Sequence, residues 1–415
     1  MHAKFLKVFS ILVLTSATLF FSACIDKDDD PDPGPTEEAG TILWTWETDG
    51  DVGIVSQPAL GDDGTVYVAA GGGTVTWVPT RVFAINPDSS EKWVSEDLDH
   101  AGASSNIVVG SDGTVYVIGF LTLYAINPDN GQFKWTWEAP DSYHTQIGWL
   151  AIGEDHMIYC ANIAAGSYVR SLFAVKEGVT QWRRDRESIY GASHPIIGPN
   201  GNLYVYWRHQ ITGNHHIDSY NPTTGQLRWA SEPLEAGLYS ATSMVFNESG
   251  NLLVSIHNPY KVLEIDPADG STISVSEQQL NLMSICPNTD IYTYIGNSGL
   301  QCFTGSISEN WMVENGVSGS HGVAVDVDNR AYVNGWTGSF GGNIQCWNND
   351  GTLNWATAAA SGAHAPLIDD DHRIYVAGGV FPGYLTCIQG DRPLAQSAWP
   401  RPDHDNKNTR NYNLW

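Results

Sequence analysis

One motif recurs every 36 to 47 residues along most of this 415-residue chain. Its clearest copy runs from Ser111 to Trp135, where an Asp-Gly turn, the run Thr-Val-Tyr-Val, an apolar run, an Asn-Pro-x-x-Gly turn and a Trp follow one another. Glycine accepts the positive φ that such hairpin turns require, so each copy predicts short antiparallel strands. A unit of this kind buries its apolar face only against its neighbours, so the copies must stack.

The Trp that ends each copy gives the register of the repeat. Counting from Trp46 to Trp399, with a Trp-less copy near Val275, gives eight intervals of 47, 42, 47, 47, 46, 36, 44 and 44 residues. Eight intervals of four short strands predict an all-β fold, an eight-bladed β-propeller of four-stranded antiparallel blades. We expect the strand at Thr41–Glu47 to complete the last blade and close the ring. The surplus Trp is then expected in the tail, lying across the surface.

The amino terminus predicts export. Lys4 and Lys7 precede an apolar run that is too short to span a bilayer, and the small residues Ser22 and Ala23 precede Cys24. We therefore divide the chain into a signal peptide (1–23), an acidic Pro-rich tether (24–40), a propeller (41–400) and a C-terminal tail packed on the propeller (401–415).

Charge and cysteine content narrow the function classes. The chain carries 20 Lys and Arg against 46 Asp and Glu, a net charge of −26, which repels phosphate backbones and argues against nucleic acid as a partner. Cys302, Cys346 and Cys387 share a repeat position with Ala84, so that position favours a small buried side chain. No Cys-x-x-Cys spacing occurs, and we expect neither a disulfide nor a cysteine-bound metal.

From Thr41 to about Trp399 the repeats resemble those of the pyrroloquinoline-quinone-like, or quinoprotein-dehydrogenase-like, propeller family. The segment WPRPDHDNKNT resembles a WPxxxHDxxxTG segment found beside such repeats, with Arg410 in place of the Gly. Members of the family include quinoprotein dehydrogenases and the lipoprotein of the outer-membrane protein assembly machine. The resemblance implies the fold rather than an activity. The vicinal Cys pair and calcium site of the dehydrogenases are not found in this sequence, so no cofactor is expected.

The segment FSAC resembles the lipobox of bacterial lipoproteins, which implies lipidation of Cys24. The following IDKDDD resembles the acidic export signal of Bacteroidetes-type surface lipoproteins. These resemblances predict a lipid-anchored outer-membrane protein facing the cell exterior. The alternatives are ordinary cleavage, with Cys24 left as a thiol, and a plain solvated run of charges.

Strand direction sorts the loops of a propeller into two faces. The Asp-Gly and Asn-Pro-x-x-Gly turns fall on one side, here called the turn face. The connections between blades and the loops between second and third strands fall on the other, here called the loop face; they vary in sequence, and binding residues are common in such loops. The loop face gives our candidate ligand-binding residues: Trp77, His144, Tyr190, His194, Trp207, Arg208, His209, Tyr239, His321, Trp336 and His364.

Each candidate has a structural alternative. Loop Trp residues can fill the top of a propeller, and His residues that begin inner strands can join neighbouring blades by hydrogen bonds. The basic stretch from Arg183 to His216 favours an anionic ligand, unless its arginines pair with Asp185, Glu187 and nearby acidic loops. No histidine spacing indicates a metal site, and the Asp-rich turns match hairpins better than calcium loops.

Three functional hypotheses follow. The first is a non-enzymatic binding module for an acidic glycan or a protein partner. The second is a polysaccharide lyase, in which Arg183 or Arg208 with His194 neutralises a uronate carboxylate while Tyr190 or His144 acts as base and acid. The third is a scaffold in outer-membrane protein assembly.

Overall fold

The computed structural model describes residues 37–72, 78–98, 106–119, 121–140, 147–162, 169–187, 189–209, 214–235, 243–257, 259–295, 299–314, 322–336, 342–359, 364–379 and 382–415. The predicted signal peptide and Cys24 lie outside these ranges. Within them, no helix has the length and apolar character needed to cross a membrane. The predicted division into signal peptide, tether, propeller and tail stays a prediction.

The described chain is an all-β ring of eight four-stranded antiparallel blades, which confirms the predicted propeller. The chain enters the ring with β1 (Ile42–Glu47). Blade 1 contains β2 (Gly53–Ile54), β3 (Ala59–Leu60), β4 (Val66–Gly72), β5 (Val78–Ile85) and β6 (Glu91–Val94). Blade 2 contains β7 (Val108–Val109), β8 (Val115–Ile118), β9 (Thr122–Ile126) and β10 (Phe133–Glu138). Blade 3 contains β11 (Ile147–Ile152), β12 (Ile158–Asn162), β13 (Arg170–Lys176) and β14 (Val179–Arg186).

The remaining blades repeat this order. Blade 4 contains β15 (Ile189–Ala192), β16 (Ile196–Ile197), β17 (Leu203–His209), β18 (Asn214–Tyr220), β19 (Leu227–Ala230) and β20 (Leu234–Glu235). Blade 5 contains β21 (Ser243–Phe246), β22 (Leu252–Ile256), β23 (Lys261–Ile265) and β24 (Thr272–Ser276). Blade 6 contains β25 (Ser284–Ile285), β26 (Ile291–Ile295), β27 (Gly299–Phe303) and β28 (Glu309–Glu314). Blade 7 contains β29 (Val323–Val325), β30 (Ala331–Trp336), β31 (Gly342–Trp347) and β32 (Leu353–Ala359). Blade 8 contains β33 (Leu367–Ile368), β34 (Arg373–Gly378) and β35 (Tyr384–Gln389).

The first strand closes the ring, as predicted. β1 pairs antiparallel with β35 as the outer strand of blade 8, with Trp44 opposite Cys387. In every other blade except blade 5 the register Trp likewise faces the small residue of its neighbour strand, for example Trp93 opposite Ala84. The first register residue is therefore Trp44. The sequence count started at Trp46, two residues late, because a Trp stands at both alternate positions of the strand.

Each register Trp joins its blade to the next one. The indole nitrogen of Trp182 donates a 2.7 Å hydrogen bond to the carbonyl of Pro222 in the Asn-Pro-x-x-Gly turn of blade 4. The ring also lies against Gly225 of that turn, where an added Cβ would come within 2.6 Å of it. Trp44, Trp93, Trp229 and Trp311 make the corresponding bonds to the carbonyls of Pro87, Pro128, Pro267 and Asn349. These contacts link the outer parts of successive blades.

Most residues from 397 to 411 are buried, contrary to the expectation that this part of the chain lies on the surface. Residues 397–413, here called the annular segment, run once around the channel at the turn-face ends of the inner strands. Backbone N–H groups of blades 6, 7, 1, 2, 3 and 4 donate in turn to carbonyls of this segment, from Ile285 to Trp399, Val325 to Pro400, Leu60 to Asn406, Val109 to Lys407, Ile152 to Thr409 and Ile197 to Arg410.

Blades 8 and 5 are bound by side chains. The guanidinium of Arg401 is fully buried and donates to the carbonyls of Pro366 and Asp405 and to Oδ1 of Asn408. Phe246 of blade 5 contacts the ring of Trp399. Buried backbone groups need partners, and the annular segment supplies them at seven blades, while it packs against blade 5 through Trp399.

Candidate functional site

The basic region of blades 3 and 4 lies mainly in strands rather than in loops. β17 continues to His209, which pairs with Ile189, so Trp207, Arg208 and His209 lie in a strand and not in the predicted loop. Trp207 belongs to β17 and is fully buried among apolar neighbours of blades 3 and 4. Its ring therefore has no exposed face on which a sugar could stack, which matches the structural alternative of a Trp packed inside the propeller.

The three arginines of β14 make contacts within the protein. Arg183 donates to the carboxylate of Asp185 at 2.6 Å and lies over the ring of Phe173. Arg184 donates to the backbone carbonyls of Gly225 and Thr224 in the adjacent blade. The pairing of Arg183 with Asp185 is the structural alternative stated for this stretch, and the role of Arg183 in the lyase hypothesis stays a prediction.

Arg186 takes part in a buried cluster between blades 3 and 4. Its Nε donates to Oδ2 of Asp218 at 2.7 Å, and a terminal nitrogen also donates to that oxygen. The hydroxyl of Tyr220 donates to the same carboxylate at 2.5 Å. His216 lies nearby, and burial lowers its pKa. Asp218 is fully buried, so this cluster acts as an ionic link between two blades.

Tyr190 and Arg208 lie on adjacent strands of blade 4. β15 carries Tyr190 and pairs with β17, and the guanidinium of Arg208 lies over Gly191. The structure thus brings Tyr190, Arg208 and His209 to the loop-face end of one blade. The side chain of Tyr190 is outside the described part of the structure.

His194 lies by the channel, close to the annular segment. Burial, followed by the positive charge of Arg410, lowers the pKa of His194 well below its usual value. The imidazole is therefore neutral at pH 7, and a neutral imidazole cannot supply the positive charge that the lyase hypothesis assigns to it. His364 belongs to blade 8, on the opposite side of the ring from blade 4, and its carbonyl accepts a hydrogen bond from Asn334.

The other predicted residues cannot be placed. Trp77, His144, Tyr239 and His321 lie outside the described residues, and Trp336 is described only through its backbone in β30. Among the residues that are described, no three His, Cys, Asp or Glu side chains are arranged to hold a metal ion. Cys160, Cys286, Cys302, Cys346 and Cys387 are buried free thiols.

A cleft of about 640 Å³ opens on the turn face between blades 8 and 1 and the annular segment. Acidic side chains dominate its lining, with Lys407 and Arg373 among them. Lys407 binds Asp62 at 2.7 Å and Arg373 lies 3.4 Å from Asp371, so both cations are already paired. The charges of its acidic turns are partly neutralised by these two cations. Among the described lining residues, no side chain stands out as a ligand-binding group.

Tyr260 is not among our candidate ligand-binding residues. It is nevertheless an aromatic side chain of the loop face that is well exposed to solvent. It lies in the loop between β22 and β23 with 49% of its surface exposed. Its ring packs edge-on against His257, with 5.6 Å between the centroids. Tyrosines held in this way are common at protein interfaces, because a large amphipathic ring is presented with little loss of side-chain freedom.

Comparisons with known proteins agree with the fold. The family profile described as outer membrane protein assembly factor BamB matches residues 79–232. The crystal structure of BamB from Moraxella catarrhalis aligns with a TM-score of 0.59 and 15% identity, covering 84% of this chain and 97% of that one. The Dos1 propeller aligns with a TM-score of 0.58 and 10% identity, covering 86% and 96%. A search of curated protein sequences gave no match.

Proposed function

We propose that this chain, a β-propeller of the pyrroloquinoline-quinone-like family, is a non-enzymatic scaffold that binds a protein partner through its loop face. A binding or scaffold role fits the BamB-like propeller fold. The finer proposal, a protein partner at the loop face, is carried by one observation: Tyr260 is exposed on this face and supported by His257.

The annular segment supports the choice of face. It runs around the channel at the turn face and contacts all eight inner strands. A partner is therefore expected at the loop face or at the rim. The turn face consists of short, similar hairpins, which carry little information for specific recognition.

A protein partner is preferred over a glycan and over catalysis. Trp207, the described Trp that was expected to stack on a sugar, is buried. Arg183 and Arg186 are paired with Asp185 and Asp218, and His194 is held neutral by burial and Arg410. These positions leave the lyase hypothesis without the groups that were to neutralise a uronate, except Arg208.

We further propose that lipid on Cys24 holds the propeller at the outer membrane, and that the propeller faces the exterior. The lipobox-like residues before Cys24 and the acidic run Asp26–Asp30 support these two steps. Protease treatment of intact cells is the measurement: an exterior propeller is digested without lysis. Protection in intact cells and digestion after lysis would instead place the protein on the periplasmic side, as in the outer-membrane assembly hypothesis.

Site-specific photo-crosslinking tests the proposed partner. A benzophenone amino acid replaces Tyr260 in the full chain expressed in its own host, and the matched variant replaces Thr223 in a turn-face hairpin of blade 4. We expect one protein adduct of defined mass from position 260 and none from position 223. Equal adducts from both positions, or an adduct that contains only carbohydrate, would contradict the proposal. Unsaturated-uronate absorbance after incubation with acidic polysaccharides would favour the lyase.

A further inference from the structure

Blade 5 departs from the other seven blades at its outer edge. In those blades a small residue faces a Trp across the two outer strands, as Ala174 faces Trp182 and Cys302 faces Trp311. In blade 5 the residues at this register are Glu264 and Ser274. The β-bulge next to this pair is also present in blade 5, where Ile265 faces Thr272. Glu264 and Ser274 therefore correspond to the small residue and the Trp of the other blades.

A polar network replaces the aromatic contacts at this point. Glu264 accepts hydrogen bonds from the side-chain amides of Asn247 and Asn251 at 3.1 and 2.8 Å. Its second oxygen accepts from the hydroxyl of Ser274 at 2.9 Å. A seryl hydroxyl used within its own blade cannot bridge to blade 6 as Trp182 bridges to Pro222 of blade 4. In the described part of the chain, the outer strand of blade 5 therefore lacks the Trp hydrogen bond that joins other blades to the next one.

β24 is also the outer strand with the fewest protective features. Its sequence, Thr-Ile-Ser-Val-Ser, contains neither Trp nor a charged residue, whereas each of the other seven outer strands carries a Trp. Ile273 and Val275 lie on one side of the strand and are 51% and 55% exposed. Edge strands in stable proteins usually carry charges, prolines or covers that prevent another strand from pairing with them. This strand carries no charge and no proline, and no described residue covers Ile273 and Val275.

The surrounding charge indicates which partner strand would fit. From residue 229 to residue 329, through blade 5 and blade 6, the chain has twelve Asp and Glu and a single basic residue, Lys261. Asp269 and Glu277 flank β24 at its two ends and are exposed. A second copy of this chain would bring two such acidic sectors together, with net charges of −26 on each molecule, which is unfavourable. A partner strand with Lys or Arg at its ends would instead be attracted to this acidic sector.

We propose that β24 is a docking edge for an extended segment of a partner protein, with alternating apolar residues and Lys or Arg at its ends. The segment would add as a fifth strand to blade 5, its backbone bonding to β24 and its apolar side chains packing on Ile273 and Val275. The inference rests on the proposed function in treating the protein as a protein-binding scaffold, but it concerns the rim and not the loop face.

A defined peptide serves as the probe. The fluorescent peptide Lys-Val-Thr-Val-Thr-Val-Lys is titrated into the full-length protein in detergent, and binding is followed by anisotropy. Amide hydrogen exchange is measured on the same complex. We expect saturable binding that weakens with added salt, and slower exchange in the peptide containing residues 272–276. Val275→Lys is expected to weaken binding at least tenfold, about 1.4 kcal/mol.

Val179→Lys is the matched control. Val179 is 59% exposed on β14, the outer strand of blade 3, so the same charge is added to an edge that keeps its Trp. It should change the affinity less than twofold. The proposal is overturned by absence of binding to the wild-type protein, by equal weakening in both variants, or by protection on another outer strand. None of these outcomes touches the Tyr260 crosslink, so the two proposals fail separately.

Discussion

The buried carboxylate of Asp218 in blade 4 accepts a hydrogen bond from Nε of Arg186 in blade 3, at 2.7 Å across the boundary between the two blades. Asp218 is fully buried, while the side chain of Arg186 keeps 30% of its surface exposed. The pair therefore lies at the edge of the protein interior, where the removal of one partner is costly.

Replacing Arg186 tests this link. Arg186→Met should lower the free energy of unfolding by about 2 kcal/mol or more, because among the described residues it leaves the buried Asp218 carboxylate with the Tyr220 hydroxyl as its remaining donor. Urea denaturation measures the change. Arg183→Met is the matched control, since Arg183 pairs with the half-exposed Asp185 and should lose less than about 1 kcal/mol. Equal losses in the two variants would show that the burial of Asp218 is irrelevant.

The contact between Trp182 and Gly225 predicts an asymmetric response to alanine. Gly225 and Gly201 both have positive φ, 64° and 72°, so alanine strains the backbone at either position by about 1 kcal/mol. Only at Gly225 would the new Cβ meet the Trp182 ring, whereas nothing lies within 4 Å at Gly201. Thermal unfolding should therefore give a lower Tm for Gly225→Ala than for Gly201→Ala. Identical values would contradict the close packing of Trp182.

Removing the last part of the annular segment should loosen particular blades. A chain ending at Asp405 lacks the carbonyls that accept from Leu60, Val109, Ile152 and Ile197. Each buried N–H left without a partner costs about 1–3 kcal/mol, so most of an ordinary stability margin would be lost.

Amide exchange gives the readout for this truncation. Exchange should accelerate most at the inner strands of blades 1 to 4, while Ile285 and Val325 keep their partners Trp399 and Pro400. Removal of Trp415 alone, which is 49% exposed and packs on His404, should lower stability far less and leave exchange at the inner strands of blades 1 to 4 slow. Uniform acceleration in all eight blades would argue against blade-specific support by the segment.

Asp326 predicts a pH dependence of stability. Burial raises its pKa to about 6 from 3.8, although bonds from the Arg330 amide and the Tyr332 hydroxyl oppose the shift. Because the folded state holds this proton more tightly than the unfolded state, the stabilising contribution is complete below the unfolded pKa. It is lost as the pH rises through about 6.

For Asp326 the loss amounts to about 2 kcal/mol between pH 4 and pH 7. Asp326→Asn should flatten this part of the profile of unfolding free energy against pH. A wild-type stability that rises over the same range, together with a variant that follows it, would contradict the assignment.

The repeat made most of the ring predictable. Alternating strands and glycine turns specify a blade locally, so the number of blades and the closure by β1 followed from spacing alone. The register error between Trp44 and Trp46 came from one strand that carries Trp at alternate positions. Only the pairing of Trp44 with Cys387 distinguishes the two.

The candidate site was less predictable, for two physical reasons. Trp207 and His209 were assigned to a loop because polar residues and Gly surround them, but strand pairing with β15 continues to Ile189. The annular segment has no period, and its position is set by unpaired N–H groups on strands that are distant in sequence. Such long-range hydrogen bonds leave no local pattern from which the burial of His404 or Arg410 could be inferred.

The annular segment also sets an order of events during biosynthesis. Blades can form one after another as the chain emerges, yet the partners for the first inner strands are residues 406–410, which are made hundreds of residues later. Until then, the N–H groups of the inner strands in the early blades face the channel without their partners. The ring is thus fully stabilised only after this segment has been translated. A prematurely terminated polypeptide keeps unpaired inner strands that quality-control proteases recognise.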